Sequence, residues 1–316
     1  MNDRSDTNWS CGALWKVLSR RNSVFSHIRT FGSENASRMA SDTTGEGTRV
    51  VADRPSVVLR RGEHAGIATV TLDRAEKRNA LSQKLLRELN DAYRELRESA
   101  DVRVILTTAA GPSFSAGMDL TELGGLVELW ETNQIPWSDG GLLVDAIREV
   151  RQHPAVTIAS VQGYCAGGGL ALVAAHDLAI AGESTRFILP ETQRGSFGAL
   201  AAAAIHYRLP RKIAFDMQLS GRELTGSEAA SYGLVSRVVP DDQLEAATHQ
   251  LAQDVASREF APLTHAKMAA YTSEGMTFEQ ALMNDLLVGA RQNRTASSFD
   301  DVDTFLRSRR RSQGGG

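Results

Sequence analysis

The sequence predicts an α/β core followed by a helical C-terminal lobe, and two observations carry this prediction. Between residues 57 and 189, short apolar or β-branched runs alternate with amphipathic helical patterns. This is the order expected when helices cross over a sheet. From residue 199 to residue 309 helical patterns occupy nearly all of the sequence, and one predicted strand, Val235–Val239, interrupts them.

Each element of the core has its own local signal. A hairpin is predicted from two segments of alternating or continuous apolar and β-branched residues, Ser56–Arg61 and Gly66–Leu72. Ser82 is a suitable N-cap for a helix that ends near Ser99. The strands and helices that follow are predicted at Val102–Thr107, Leu142–Arg151, Ala155–Val161, the segment from the triple glycine to Ala175, Asp177–Ala181 and Arg186–Leu189. The C-terminal helices are predicted at residues 199–206, 211–219, 226–232, 242–257, 262–272, 277–292 and 299–309.

Composition places the chain among ordinary globular proteins. It has 316 residues, 42% hydrophobic and 23% charged, which suits one large domain with appendages. The net charge of −3 argues against nucleic acid or an anionic membrane as the main partner. Two cysteines predict neither a disulfide framework nor a zinc site, so we expect a cytoplasmic protein. No apolar run reaches the roughly 18 residues that would predict a membrane span.

The N-terminal segment, residues 1–48, differs from the rest because it is rich in Ser, Asn, Thr and Arg and poor in acids. We interpret it as a disordered leader. Its basic stretch from Leu14 to Arg29 leaves open a targeting segment, which would place the protein in the mitochondrial matrix. The remaining predicted divisions are a core, a C-terminal helical region and a disordered tail, at residues 49–255, 256–311 and 312–316.

Two loops rich in small residues follow short apolar strands, at residues 111–120 and 161–170. Small residues let a backbone approach a ligand closely, and N–H groups at a helix start are free donors. Two such loops could direct two N–H groups at one oxygen, which would make an oxyanion hole. For either loop alone, a tight turn without a ligand is the alternative.

Taken together, these segments resemble the enoyl-CoA hydratase/isomerase (crotonase) superfamily over about residues 56–310. The matching stretches are Leu72–Leu81, Phe114–Leu120, Gly163–Gly169, Pro190-Glu191, Leu219–Arg222 with Glu228–Ala230, Tyr232–Val239 and Phe305–Arg309. The resemblance implies a spiral of β-β-α units with a helical C-terminal trimerisation lobe. It also implies an acyl-CoA thioester substrate, a homotrimer or hexamer, and no separate cofactor, because CoA is part of the substrate.

The resemblance also implies site residues by position. The oxyanion hole would be the backbone N–H groups of Met118 and Gly168, with Glu191 as the catalytic carboxylate. CoA would lie along the Lys77–Ala80 segment, and Asp119 would brace its own loop. The substrate-binding set implied is Lys77, Arg78, Asn79, Ala80, Ala116, Asp119, Gly167 and Ala171, with Phe305 and Arg307 contributed by the last helix of a neighbouring subunit.

The sequence departs from the family pattern at one carboxylate. Hydratases of this family hold one water between two glutamates, and the first of these positions is Ala171 here, whereas the second is Glu191. The extra acid of dienoyl-CoA isomerases falls on Ala199. We therefore predict a single-glutamate Δ3,Δ2-enoyl-CoA isomerase. The alternatives are a hydratase with a repositioned acid, such as Glu128 or Glu131, and a decarboxylase or C–C bond enzyme.

Two alternatives belong to other classes. The stretch Gly163-Tyr164-Cys165-Ala166-Gly167 has the shape of a nucleophile elbow with Cys in place of Ser, which predicts an α/β-hydrolase that uses Cys165. A non-catalytic CoA-binding scaffold on the crotonase fold is the second. The histidines show no metal-ligand spacing, so no metal site is predicted.

Overall fold

The computed structural model describes residues 54–122 and 141–292. The predictions for the N-terminal segment, for Glu128 and Glu131, for the helix at residues 299–309 with Phe305 and Arg307, and for the tail lie outside the described residues. They stay predictions.

The strands of the described ranges form two sheets. They are β1 (Val57–His64), β2 (Ile67–Leu72), β3 (Val104–Ala109), β4 (Val156–Val161), β5 (Tyr164–Ala166), β6 (Leu178–Gly182), β7 (Arg186–Ile188), β8 (Leu224–Thr225) and β9 (Arg237–Val239). The larger sheet has the order β1-β2-β3-β4-β6-β9, in which only the β1–β2 hairpin is antiparallel. The smaller sheet, β5-β7-β8, was not predicted as a sheet because each of its strands has only two or three residues.

The helices in the same ranges connect and cover these strands. They are α1 (Gln83–Arg97), α2 (Gly141–Arg151), α3 (Gly168–Ala175), α4 (Ala199–Arg208), α5 (Arg211–Phe215), α6 (Gly226–Ser231), α7 (Leu244–Ala256), α8 (Phe260–Thr272) and α9 (Phe278–Gln292). As predicted, Ser82 caps α1, and its hydroxyl accepts a hydrogen bond from Leu85 N at 3.1 Å.

One predicted helix is wrong in detail. Residues 211–219 are not a single α-helix, because α5 ends at Phe215 and a π turn, Asp216–Ser220, follows it. The Ser220 hydroxyl donates to the Asp216 carbonyl at 2.7 Å, and Gly221 then leaves the turn with a φ of +75°. Both features are local, but helical periodicity alone does not distinguish a π turn from a continuing α-helix.

The larger sheet has a hydrophobic cluster on each face. Neighbouring residues of β3 point to opposite faces of the sheet. Ile105 belongs to the cluster covered by α1, α2 and α3, and Leu106 belongs to the cluster covered by α7. All six residues of β4 are buried, as expected for a central parallel strand covered by helices on both faces. The predicted α/β core with crossover helices is confirmed.

The described part of the C-terminal lobe is helical, as predicted, and α8 and α9 pack against each other. Lys267 of α8 forms an ion pair with Asp177 of the core at 2.7 Å, and the Tyr271 hydroxyl donates to the same carboxylate at 2.7 Å. Within the two described ranges, no helix has the length and apolar character needed to cross a membrane.

Candidate active site

The two small-residue loops lie side by side and are joined by hydrogen bonds. Ser115 pairs in parallel with Cys165, and the amides of Ser115 and Ala166 donate to Tyr164 O at 3.2 Å and Ser115 O at 2.9 Å. Met118 lies three residues after Ser115, and Gly168 lies three residues after Cys165. The pairing of Ser115 with Cys165 therefore brings Met118 and Gly168 close together. A Cβ atom built on Gly168 would lie only 3.5 Å from Met118 Sδ.

Two glycines make this close approach sterically feasible. Gly163 has a φ of +57°, and a Cβ there would lie 1.8 Å from Pro112 O. Gly117 has a φ of +87°, and a Cβ there would lie 3.0 Å from Ala166 O. A side chain at either position would separate the loops, and the left-handed conformation also favours glycine. The small residues of both loops are therefore required by the contact between the loops.

The amides of Met118 and Gly168 are available to a ligand. Gly168 is the first residue of α3, so its N–H has no acceptor inside the helix. Neither amide donates to another group in the described residues. The backbone around Met118 is held by Leu81, whose N–H donates to Gly117 O at 2.8 Å and whose carbonyl accepts from Asp119 N at 3.1 Å. Two free N–H groups on fixed backbone can stabilise an oxyanion.

Glu191 lies against Gly167, the residue that precedes the Gly168 amide. It begins the 3₁₀ turn Thr192–Arg194, and a Cβ built on Gly167 would lie 2.4 Å from its Oε1 atom. A Cβ on Gly198 would lie 2.8 Å from its Cγ atom. Its Oε2 atom is buried and has no hydrogen-bond partner in the described ranges. Sequence reasoning missed Gly198, since nothing in the local pattern relates it to Glu191.

Burial determines the acidity of Glu191. Desolvation raises the pKa of its carboxyl above the ordinary value, while a hydrogen bond from its own backbone and the charge of Arg194 oppose the rise. A carboxylate with a raised pKa is the stronger base, and an unpartnered oxygen can accept a proton from a bound molecule.

The position expected to hold the other carboxylate of hydratases is closed. Ala171 is completely buried on α3, and its N–H donates to Gly167 O at 3.1 Å. Ala199 begins α4 at the surface. In the part of the chain that the structure describes, no group of three or more His, Cys, Asp and Glu side chains could hold a metal ion.

The turn expected to contact CoA contains both exposed and buried residues. Lys77 and Arg78 are exposed, Ala80 is half-buried, and Ala116 on the facing loop is exposed. Asn79 is fully buried, and its Nδ2 atom donates to Ala110 O and Ser113 O, both at 2.8 Å. Its side chain therefore links this turn to the Met118 loop.

Asp119 braces the same loop, in the position that the sequence predicts. Its carboxylate accepts hydrogen bonds from the backbone and hydroxyl of Thr121 and forms an ion pair with Arg74 at 2.6 Å. The bonds from Thr121 and then from Arg74 lower the pKa of Asp119 to about 2. Arg74 lies in a matching family stretch, but the sequence alone assigned it no role.

Cys165 is not suited to nucleophilic catalysis. It is completely buried, and desolvation raises the pKa of its thiol above the ordinary range. A nucleophilic cysteine needs access to solvent and a lowered pKa. Cys165 therefore does not fit the nucleophile role that the α/β-hydrolase alternative requires.

Solved structures share this fold. The enoyl-CoA hydratase of Mycobacterium smegmatis superposes with a TM-score of 0.73 at 28% sequence identity, over 81% of this chain and 97% of that one. Human enoyl-CoA hydratase domain-containing protein 3 also gives a TM-score of 0.73 at 28% identity, over 81% of this chain and 98% of the human chain.

Sequence relatives lead to the same family. The mitochondrial enoyl-CoA hydratase domain-containing protein 3 of Rattus norvegicus is 34% identical over 198 residues, which are 61% of this chain but only 63% of the rat protein. A probable enoyl-CoA hydratase of Mycobacterium tuberculosis is 30% identical over 254 residues, 77% of this chain and 94% of that protein. The family model for enoyl-CoA hydratase/isomerase matches residues 62–305, which is more than half of the sequence. The chain therefore belongs to the enoyl-CoA hydratase/isomerase family, within the crotonase superfamily.

Proposed function

We propose that the protein shifts the double bond of a 3-enoyl-CoA thioester to give the 2-enoyl-CoA isomer. The observation that carries this proposal is the Glu191 carboxylate, whose buried Oε2 atom has no hydrogen-bond partner in the described ranges, beside the paired loops that carry the free amides of Met118 and Gly168. At the position where the family's hydratases have their other glutamate, this chain has the enclosed methyl group of Ala171.

The chemistry needs only these groups. Ionised Glu191 removes the C2 proton of the thioester, and the electron pair moves onto the carbonyl oxygen, where the Met118 and Gly168 amides hold the dienolate. Protonated Glu191 then returns the proton at C4, and the double bond forms between C2 and C3. A positioned acid/base contributes about 10²–10⁴-fold to the rate, and one oxyanion donor contributes about 2.7–4 kcal/mol.

Hydration of 2-enoyl-CoA is the second candidate, because the relatives' names describe hydratases. It would need a second acid to hold the water, and Ala171 cannot supply one. Glu128 or Glu131 would have to provide it. A decarboxylase or C–C bond enzyme would use the same enolate hole, and a non-catalytic scaffold would only bind CoA.

Parallel assays on 3-enoyl-CoA, 2-enoyl-CoA and malonyl-CoA separate these functions. We expect turnover of 3-enoyl-CoA, and a fall in kcat of at least about a hundred-fold in Glu191→Gln because the amide cannot act as a base. Glu183→Gln, on an exposed turn, is the matched control and should retain activity. Hydration or decarboxylation without isomerisation would overturn the proposal, and acyl-CoA binding without any turnover would favour the scaffold.

We further propose that the chain assembles as a homotrimer or a dimer of trimers, in which Phe305 and Arg307 reach a neighbouring site. An unpartnered apolar face on α9 supports this assembly, since its large side chains are exposed in the single chain: Phe278, Leu282, Met283, Leu286 and Leu287. Light scattering coupled to size exclusion should give three or six times the mass of 34.2 kDa. A monomer would contradict the proposal.

For localisation, the names of the rat and human relatives include the word mitochondrial. They favour the mitochondrial matrix over the cytoplasmic expectation. A fusion of residues 1–48 to a fluorescent protein tests this directly, since import requires the basic N-terminal segment to act as a targeting signal. Diffuse cytosolic fluorescence would favour the leader without a targeting role.

A further inference from the structure

The turn that carries Glu191 is attached to the π turn Asp216–Ser220. The Thr192 hydroxyl donates to the Gln218 carbonyl at 2.5 Å. The Gln193 side-chain amide donates to the Ser220 carbonyl at 3.3 Å. The residue after the π turn is Gly221, where a Cβ would lie 1.9 Å from Gln193 Nε2. The two segments are therefore in direct contact immediately after the catalytic carboxylate.

The same π turn also contacts the helix on the other side of Glu191. Gln218 is almost completely buried, and its Oε1 atom lies 2.7 Å from His206 Nε2 on α4. The residue before this helix is Gly198, whose lack of a side chain leaves room for the Glu191 Cγ atom. Gln218 thus joins two elements that enclose the Glu191 side chain, the 3₁₀ turn through its carbonyl and α4 through its amide oxygen.

The π turn is itself held in place by a chain of polar contacts. Arg222 forms an ion pair with Asp216 at 3.1 Å and with Glu228 at 2.6 Å. Glu228 completes the capping box of α6 with Thr225, in which each residue's side chain bonds to the other's backbone N–H. Ser220, Gly221, Arg222 and Glu228 all lie in stretches that carry the family resemblance, and their contacts connect those stretches to the Glu191 turn.

We propose that Thr192 and Gln218 are positioning residues that hold the Glu191 carboxylate at the oxyanion hole. This inference rests on the proposed catalytic role of Glu191. Glu191 Oε2 has no hydrogen-bond partner in the described ranges, so the carboxylate is placed by the path of its backbone and by the space at Gly167 and Gly198. Loss of the Thr192 bond frees that backbone, and a displacement of about 1 Å can lower a rate as much as a hundred-fold.

The test compares Thr192→Val, Thr192→Ser and the control Thr264→Val. Valine has the shape of threonine without its hydroxyl, whereas serine keeps the hydroxyl. Thr264 also donates from its hydroxyl to a backbone carbonyl, Pro154 O at 3.2 Å, but it lies on α8. For Thr192→Val we expect a fall in kcat of about ten-fold with KM for acyl-CoA within about two-fold. Thr192→Ser and Thr264→Val should retain wild-type kcat.

The pH profile separates positioning from general destabilisation. A carboxylate released towards solvent loses part of its desolvation, so the acidic limb of the kcat profile should move to lower pH in Thr192→Val. It should stay in place in Thr264→Val. Wild-type kcat and profile in folded Thr192→Val would overturn the proposal, and so would equal losses in both valine variants.

A readout independent of turnover keeps this inference distinct from the proposed function. In protein labelled with ¹³C at glutamate carboxyls, the Glu191 resonance is identified by its loss in Glu191→Gln. Its titration should move to lower pH in Thr192→Val alone. If the wild type fails to isomerise 3-enoyl-CoA, the proposed function falls, but this titration still decides whether Thr192 positions the carboxylate. An unmoved titration overturns the positioning role.

Discussion

At the residue scale, the environment of Glu191 combines two properties that oppose each other. The side chain is packed against glycine backbone, and burial raises the pKa of its carboxyl above the ordinary value of 4.5. The raised pKa improves Glu191 as a base, but it also means that ionised Glu191 is unfavourable in the folded protein. The proposed function and the stability of the folded protein therefore make opposite demands on this one residue.

Replacement of Glu191 should show this conflict as a function of pH. A folded-state pKa above the unfolded value makes the wild type lose stability as pH rises from 4.5 through the raised pKa. Glu191→Gln should therefore have a higher free energy of unfolding than the wild type above the raised pKa, and an equal one below 4.5. Denaturant titrations on both sides of this window measure it.

Glu183→Gln, on the surface, is the control, and its free energy of unfolding should stay within about 0.5 kcal/mol of the wild type. A Glu191→Gln variant that is less stable than the wild type at neutral pH would show that the carboxylate makes a favourable interaction in the folded state. The kinetic counterpart is an acidic limb of the kcat profile displaced upward from 4.5, because Glu191 must be ionised to remove a proton.

At the element scale, the candidate site depends on hydrogen bonds between neighbouring turns and loops. Asn79 has a φ of +52°, a conformation that asparagine tolerates better than most residues. Besides donating to Ala110 O and Ser113 O, it accepts a hydrogen bond from Arg74 N at 2.9 Å. One buried side chain therefore holds the turn of the expected CoA segment against the loop that carries Met118.

Asn79→Ala should destabilise the protein by about 3–5 kcal/mol, since buried backbone groups lose their partners and alanine is strained at a positive φ. The matched control is Asn90→Ala. Asn90 is equally buried, but it makes one bond, to Leu142 O at 3.0 Å, and its Oδ1 atom has no partner. We expect a cost of about 1–2 kcal/mol there. Chemical denaturation measures the free energy of unfolding of both variants. Equal losses of stability would show that the hydrogen bonds of Asn79 contribute no more than the single bond of Asn90.

At the scale of the whole molecule, the described C-terminal helices are attached to the core through a buried ionic cluster. Lys267 and Asp177 have side chains that are 8% and 14% exposed, and Lys267 also donates to Ala155 O at 3.0 Å. Arg151 stacks over the Tyr271 ring at 4.3 Å and pairs with Glu274. These contacts join α8 and the turn after it to the end of α2, the residue before β4 and the segment between α3 and β6.

Lys267→Met should cost about 3–5 kcal/mol, because it leaves the buried Asp177 carboxylate without its cation. Arg61→Met removes an exposed ion pair with Glu95 and should cost at most about 1 kcal/mol. Hydrogen exchange should show that α8 and α9 open first in Lys267→Met. A cost similar to that of Arg61→Met would show that apolar packing alone holds α8.

Features whose signals are local could be predicted from the amino-acid sequence. The β1–β2 hairpin, the Ser82 cap, the apolar strands and the small-residue loops follow from periodicity and residue type, because neighbouring residues decide them. The family pattern also singled out Glu191 as the one carboxylate and Ala171 as the missing one.

The contacts between those parts could not be predicted from the sequence and become visible in the folded chain. The Ser115–Cys165 pairing, the room that Gly198 leaves for Glu191 and the π turn that supports Thr192 join residues from separate elements. Such contacts depend on how the chain closes its long loops, and local periodicity carries no information about this. The sequence could therefore identify Glu191 as the candidate catalytic carboxylate, whereas its position depends on contacts that exist only in the folded chain.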